Sequence, residues 1–107
     1  MTVAPLKRIT PATVDVLDAL LAASDPLWGL AIVKASGRPA GSIYPILERL
    51  ETAGWVTSEW EAATERSGPR RRLYRLAADA APAARDALAH LEARRAGSSS
   101  APGTAFA

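Results

Sequence analysis

The chain has 107 residues, 49% of them apolar, and no cysteine, so disulfides, thiolate metal sites and cysteine nucleophiles are excluded. That length suits one ordinary domain. Its core must rest on few large side chains because much of the apolar fraction is alanine, a situation in which a second subunit often helps to bury them. The net charge of +2 says little about partners, but Arg66, Arg70, Arg71, Arg72 and Arg75 fall within ten residues while the acids are scattered. No apolar run approaches the roughly 18 residues of a membrane span, and MTVAPLKRITPAT lacks the apolar segment of a signal peptide. The chain therefore reads as a soluble cytoplasmic protein with no membrane partner.

Residues 1–9 read as a flexible arm, unstructured or weakly docked, with Lys7 and Arg8 near its end. Thr10 before Pro11 supplies an N-cap and a proline at the first helical position. Val14, Leu17 and Leu21, flanked by Val16 and Leu20, then give a first helix its apolar face, with Asp15 and Asp18 away from it, as far as Ala23. Asp25 and Pro26 repeat the start signal, which predicts a second helix from Leu27 to Ser36 with Leu30, Ile32 and Val33 available to the core. Gly37 closes that helix as a left-handed residue, Pro39 opens a third that runs to about Ala53, and Gly54 ends it. Two short helices joined by a glycine turn form a helix-turn-helix.

Within the third helix Ile43, Ile46, Leu47 and Leu50 fall at i, i+3, i+4 and i+7, the spacing of one buried stripe. Pro45 interrupts that span. It has no N–H for the Gly41 carbonyl, at a cost of roughly 3 kcal/mol relative to alanine.

Beyond Gly54 the period changes to 2. Val56, Ser58 and Trp60 alternate with Thr57, Glu59 and Glu61, Ala62 to Pro69 has loop composition, and Arg70 to Leu76 returns as a second strand. A basic-tipped hairpin directly after a helix-turn-helix is a winged helix. Asp79 is the expected cap of a last helix that reaches about Arg95, tolerates Pro82 in its first turn and carries a thin stripe of Ala84, Leu88 and Leu91. GSSSAPGTAFA has the composition of a disordered tail. The expected fold is mainly α with a two-stranded β-wing: arm 1–9, winged helix-turn-helix 10–77, dimerisation helix 78–96 and tail 97–107.

GSIYPILERLETAGWV, followed by the wing and RRRLYRL, resembles the PadR family of bacterial transcriptional regulators. That family's recognition helix carries a Thr/Ser-Leu/Ile-Tyr-Pro-Leu signature and ends in a Leu-Glu-x-x-Gly-Leu/Trp-Val run. The resemblance covers about Val14 to Leu76, and the last helix is short, as in the family's smaller subclass. It implies a homodimer that binds double-stranded DNA at a pseudo-palindromic operator and represses by occluding a promoter, with two recognition helices in successive major grooves. It also implies that the N-terminal half of the third helix enters the groove, with the Tyr-Pro pair at the groove-facing surface. On a helical wheel Arg38, Gly41, Ser42, Pro45, Arg49 and Thr52 point away from the apolar stripe, with Tyr44 at its flank. Pro45 then faces outward, and a gentle bend leaves the Gly41 carbonyl to water.

The DNA-contact candidates are therefore Arg38, Gly41, Ser42, Tyr44, Pro45 and Arg49, with Arg70 and Arg71 of the wing for phosphate or the minor groove. Capping or packing remains an alternative for Ser42 and Tyr44, and a solvated hairpin tip for the arginines. Arg75, deeper in the strand, is expected to pair with Glu59 or Glu61. Trp28, Trp55 and Trp60 read as core. Leu88 and Leu91 anchor the expected dimer, with Leu17, Leu21 and Ala84 contributing.

Two features depart from the family pattern. Ala80 to Arg95 contains no aromatic to line a flat drug site, and Ala77-Ala78 replaces the usual Leu-Thr pair. A small-molecule effector stays open. His90 reads as solvated, and no spacing of His, Asp and Glu suggests a metal, so neither metal nor cofactor is expected. No phosphate loop, nucleophile elbow or framed carboxylate pair suggests an enzyme. The alternative function is a winged-helix module that binds protein rather than DNA, supported by Glu48 and Glu51 on the third helix.

Overall fold

The computed structural model describes residues 3–6, 9–62 and 68–104, and the side chains of the final helix as far as residue 96. Lys7, Arg8 and Arg66 lie outside the described residues. The elements in order are α1 (Pro11–Ala22), β1 (Leu27–Trp28), α2 (Gly29–Ser36), α3 (Ala40–Thr52), β2 (Val56–Trp60), β3 (Arg72–Leu76), a 3-10 turn (Ala78–Ala80) and α4 (Ala81–Thr104). The class is the expected one, mainly helical with a small antiparallel sheet.

The helix ends follow local chemistry. Thr10 is extended and its hydroxyl accepts from the Thr13 N–H at 3.2 Å, while Pro11 follows without needing a donor of its own. Gly37 closes α2 at φ 71°, and its N–H reaches the Val33 carbonyl at 3.1 Å. The Arg38 N–H then bonds the Ser36 hydroxyl, which itself donates to the Val33 carbonyl. Gly54, at φ 83°, lets the chain reverse after α3 so that the Trp55 N–H returns to the Leu50 carbonyl at 2.9 Å.

One core joins these pieces. Ile43, Ile46, Leu47 and Leu50 all face inward, against Val16, Leu17 and Leu20 of α1, Ile32 of α2, Trp55, Val56, and Ala80 and Ala84 next to and within α4. The stripe read from the sequence is thus the packed face of α3. Alanines carry α4 onto α1, since Ala84 is wholly buried and Ala83 and Ala87 pack beside it.

Five expectations need correction. β1 occupies the start assigned to the second helix: Trp28 is extended (φ −80°, ψ 159°) and lies opposite Leu73, so the sheet has three strands in the order β1-β3-β2. Part of the arm is docked rather than flexible. The Ala4 N–H bonds the Ala53 carbonyl at 2.9 Å, the Trp55 indole donates to the Ala4 carbonyl at 2.6 Å, and Val3 and Leu6 pack on the core.

Asp79 sits inside the 3-10 turn, where Ala77 provides no side-chain cap. The last helix continues well past Arg95 to Thr104, through residues expected to form a tail. Leu17 and Ala84 are wholly buried within the protomer, so neither offers an atom to a second chain. Leu21 packs on the same core from its edge, which leaves Leu88 and Leu91, both half-buried, as the larger apolar side chains along α4.

Candidate nucleic-acid interface

The side of α3 opposite the core begins at a bare helix end. Pro39 precedes the first turn without a side-chain cap, and its carbonyl accepts from the Ser42 and Ile43 N–H groups at 2.9 and 3.2 Å. The Ala40 and Gly41 N–H groups come before the first of these bonds and have no partner within the helix, the arrangement that attracts phosphate oxygens. Gly41, Ser42, Tyr44, Pro45, Glu48, Arg49 and Thr52 are exposed. The Ser42 hydroxyl caps nothing and is free for solvent or a ligand. Pro45 lies within one continuous helical segment and faces out, so the Gly41 carbonyl it leaves without an N–H is at the surface. Nothing stands within 4 Å of a Cβ added to Gly41, so the protein's own packing does not demand glycine there.

Arg38 is held differently. Its Nε donates to the Asp15 Oδ2 at 2.7 Å, which ties the turn before α3 to α1. Both side chains remain partly exposed, so the pair adds no more than about 1 kcal/mol to stability. Arg49, at the other end of α3, borders a hollow shared with Pro5, Leu6 and Thr13. The two arginines therefore flank the exposed face rather than occupy its centre.

The wing is organised by aromatic and charged neighbours. β2 and β3 pair in register from Val56 opposite Leu76 to Trp60 opposite Arg72, and the Glu61 N–H extends the ladder to the Arg71 carbonyl at 2.7 Å. Arg70 is exposed at the base of the loop. Arg71 instead folds down, its guanidinium 3.7 Å from the centre of the Trp28 ring, while its backbone N–H bonds the Glu61 carboxylate at 3.3 Å. Such a stacked arginine keeps its charge but gives up rotamer freedom.

Arg72 reaches Glu51 of α3 at 3.7 Å and lies 5.2 Å from the centre of the Trp60 ring. The Ser58 hydroxyl also donates to the Glu51 carboxylate. Arg75, expected to pair with Glu59 or Glu61, is exposed and sits opposite Thr57, while Arg72 makes an ion pair from this hairpin to Glu51 of the helix. Trp55 is core and Trp28 is half-buried beneath Arg71, but Trp60 is 60% exposed, contrary to its reading as a core residue.

Tyr74 of β3 lies among Arg72, Glu51 and Tyr44. Burial raises its phenol above the ordinary value of 10.0, an effect that the neighbouring Arg72 opposes. The folded chain thus holds this proton more tightly than the unfolded one. The associated stability is present below pH 10 and is lost as pH rises through the folded value. In an alkaline absorbance titration, Tyr74→Phe should remove the late-ionising phenol, and an unchanged late phase would contradict that assignment.

Away from this surface, a groove of about 340 Å³ runs between α1 and α4, bordered by Ile9, Val14, Ala83, Ala87, His90 and Leu91. Among the described residues no cluster of His, Cys, Asp and Glu is arranged to hold a metal, and no helix is long and apolar enough to cross a membrane.

A three-helix core, a short strand before its second helix and a two-stranded wing define a winged helix-turn-helix protein. The Transcriptional regulator PadR-like family matches residues 16–81, and the chain belongs to that family of regulators. No curated protein matches it. Among solved structures it is similar to the PcaV transcriptional regulator of Streptomyces coelicolor in complex with its natural ligand. That likeness has 24% identity and a TM-score of 0.71, and covers 90% of this chain and 64% of that one.

A PadR family transcription regulator of Clostridium difficile R20291 is 19% identical with a TM-score of 0.61, over 91% of this chain and 98% of that one. The zinc-responsive MarR family member ZitR of Lactococcus lactis is 19% identical with a TM-score of 0.66, over all of this chain and 69% of that one. At such identities the likeness is one of fold.

Proposed function

We propose that this chain is a sequence-specific DNA-binding regulator, a PadR-type repressor that acts as a cytoplasmic homodimer on a pseudo-palindromic operator. The observation that carries the reading is the two-faced character of α3: Ile43, Ile46, Leu47 and Leu50 are buried, while Gly41, Ser42, Tyr44 and Pro45 stand exposed at its uncapped N-terminal half. Exposed Arg70 on the wing supplies positive charge beside that face. Phosphate contacts there fix orientation, and side chains further into the groove read base edges.

Two chains would pair through α4, with Leu88 and Leu91 meeting a partner across the groove beside α1. Two recognition helices would then lie about 34 Å apart, one turn of duplex. A small molecule that alters this pairing would relieve repression, and PcaV, a regulator of similar fold, is bound to a natural ligand. Of the two acids that support the protein-binding alternative, Glu48 is exposed and Glu51 is engaged by Ser58 and Arg72.

The test is salt dependence. Arg70→Ala should weaken binding to all duplexes alike and reduce the slope of log affinity against log salt by about one, and adding Arg71→Ala by up to about two. An unchanged slope in the double variant would remove the wing from the interface.

A further inference from the structure

Tyr44 owes its place at the flank of α3 to what lies behind it. Its ring rests on Gly29, the buried first residue of α2. A Cβ built on Gly29 would stand 2.5 Å from both the Cε1 and the hydroxyl oxygen of Tyr44 and 2.8 Å from its Cζ. Carbon atoms in good contact stay roughly 3.5–4.0 Å apart, so a methyl group and the ring cannot share this space.

Backbone conformation does not explain the glycine. Positive φ occurs at Gly37, Gly54 and Gly68, and Gly29 is not among them. Any residue could adopt its backbone angles, and helix propensity would favour alanine by up to about 1 kcal/mol. What position 29 supplies is the missing side chain.

The seat is also fixed. Leu27 and Trp28, immediately before it, pair with Tyr74 and Leu73 of β3, and the Arg71 guanidinium stacks on Trp28. Tyr44, by contrast, is 44% exposed and can swing into solvent. When something is placed on Gly29, the tip of Tyr44 moves and the sheet does not.

We infer that Gly29 is a positioning residue for DNA recognition: its bare Cα is the seat that holds the Tyr44 ring at the edge of the DNA-facing surface of α3. The inference rests on the DNA-binding reading above. Gly29 touches no DNA itself, and a substitution there acts through Tyr44.

A double-mutant cycle tests this, with affinity measured for the duplex that the wild-type protein selects from a randomised library and with thermal unfolding measured alongside. Gly29→Ala should weaken binding by roughly five- to tenfold, the loss of one aligned contact, with its melting temperature close to that of the wild type. Tyr44→Ala should weaken binding by a similar factor. In the Tyr44→Ala background, Gly29→Ala should cost nothing further, because the methyl fits the vacated space.

Equal binding by wild type and Gly29→Ala, or losses that multiply in the double variant, would overturn the inference while leaving the DNA reading intact. Failure of the wild type to select any duplex would remove both. A loss of binding accompanied by unfolding of Gly29→Ala that Tyr44→Ala does not rescue would also count against it, since the damage would then lie in the fold.

Discussion

Ser42→Glu should weaken DNA binding by on the order of a hundredfold and leave the fold intact. The hydroxyl of Ser42 lies exposed in the first turn of α3, one turn from an uncapped helix end. A carboxylate there meets the positive end of the helix dipole, which favours folding by roughly 0.3–1 kcal/mol. The same carboxylate would stand where a phosphate approaches, and like-charge juxtaposition costs several kcal/mol, a loss of affinity on the order of a hundredfold. The two effects have opposite signs. Thermal unfolding and anisotropy on one preparation therefore separate a surface that binds DNA from one that merely supports the fold, and unchanged affinity with raised stability would take the N-terminal half of α3 out of the interface.

Leu47→Ala should have the largest effect on stability. Leu47 is 1% exposed and belongs to the core cluster in which Ile43, Leu50, Leu17 and Val16 are equally enclosed. Removing its side chain loses transfer free energy and leaves a cavity, together roughly 2–5 kcal/mol. In a domain of this size that lowers the melting temperature by on the order of 15 °C. Leu30, 41% exposed, supplies the comparison, and its replacement by alanine should change stability by no more than about 0.5 kcal/mol. Equal losses at the two positions would mean that Leu47 does not occupy the buried core position assigned to it.

Periodicity made much of this arrangement legible in the sequence. The four-residue apolar stripe of α3, the Thr10 cap with Pro11 and the αL turn at Gly37 each depend on neighbours within one or two helical turns, and each stands where it was expected. Interactions between distant residues were hidden. β1 is two residues long, too short to show alternation, and the Asp25-Pro26 pair before it mimics a helix start.

Contacts of long sequence separation were equally invisible. Nothing local says that Asp15 holds Arg38, that Ala4 docks on Trp55 or that Tyr44 rests on Gly29. Alternation along β2 identifies the face of Trp60 but cannot say where the core beneath that face ends, and Trp60 lies beyond it. Leu17 and Ala84 read as dimer contacts for the same reason, since an apolar stripe does not reveal whether α1 meets α4 of its own chain or of another.

Among the DNA candidates, the sequence placed Gly41, Ser42, Tyr44 and Pro45 on one exposed surface. It could not show that Arg71 stacks on Trp28 and leaves Arg70 as the freer cation, nor that Glu51 is engaged by Arg72. These pairings alter charge at the surface as much as composition does. An acid bound by an arginine presents less repulsion to a phosphate than its place on a helical wheel suggests.

Binding of duplex DNA with sequence preference by the exposed face of α3 and the wing can be measured by fluorescence anisotropy of a labelled duplex from the region upstream of the protein's own gene, titrated at two salt concentrations beside a scrambled duplex of equal length. The expected result is tight binding that weakens steeply with salt and exceeds binding to the scrambled duplex at both concentrations. Equal affinity for the two duplexes would contradict sequence preference, and no binding by a folded dimer at either salt would contradict the DNA-binding assignment for that region.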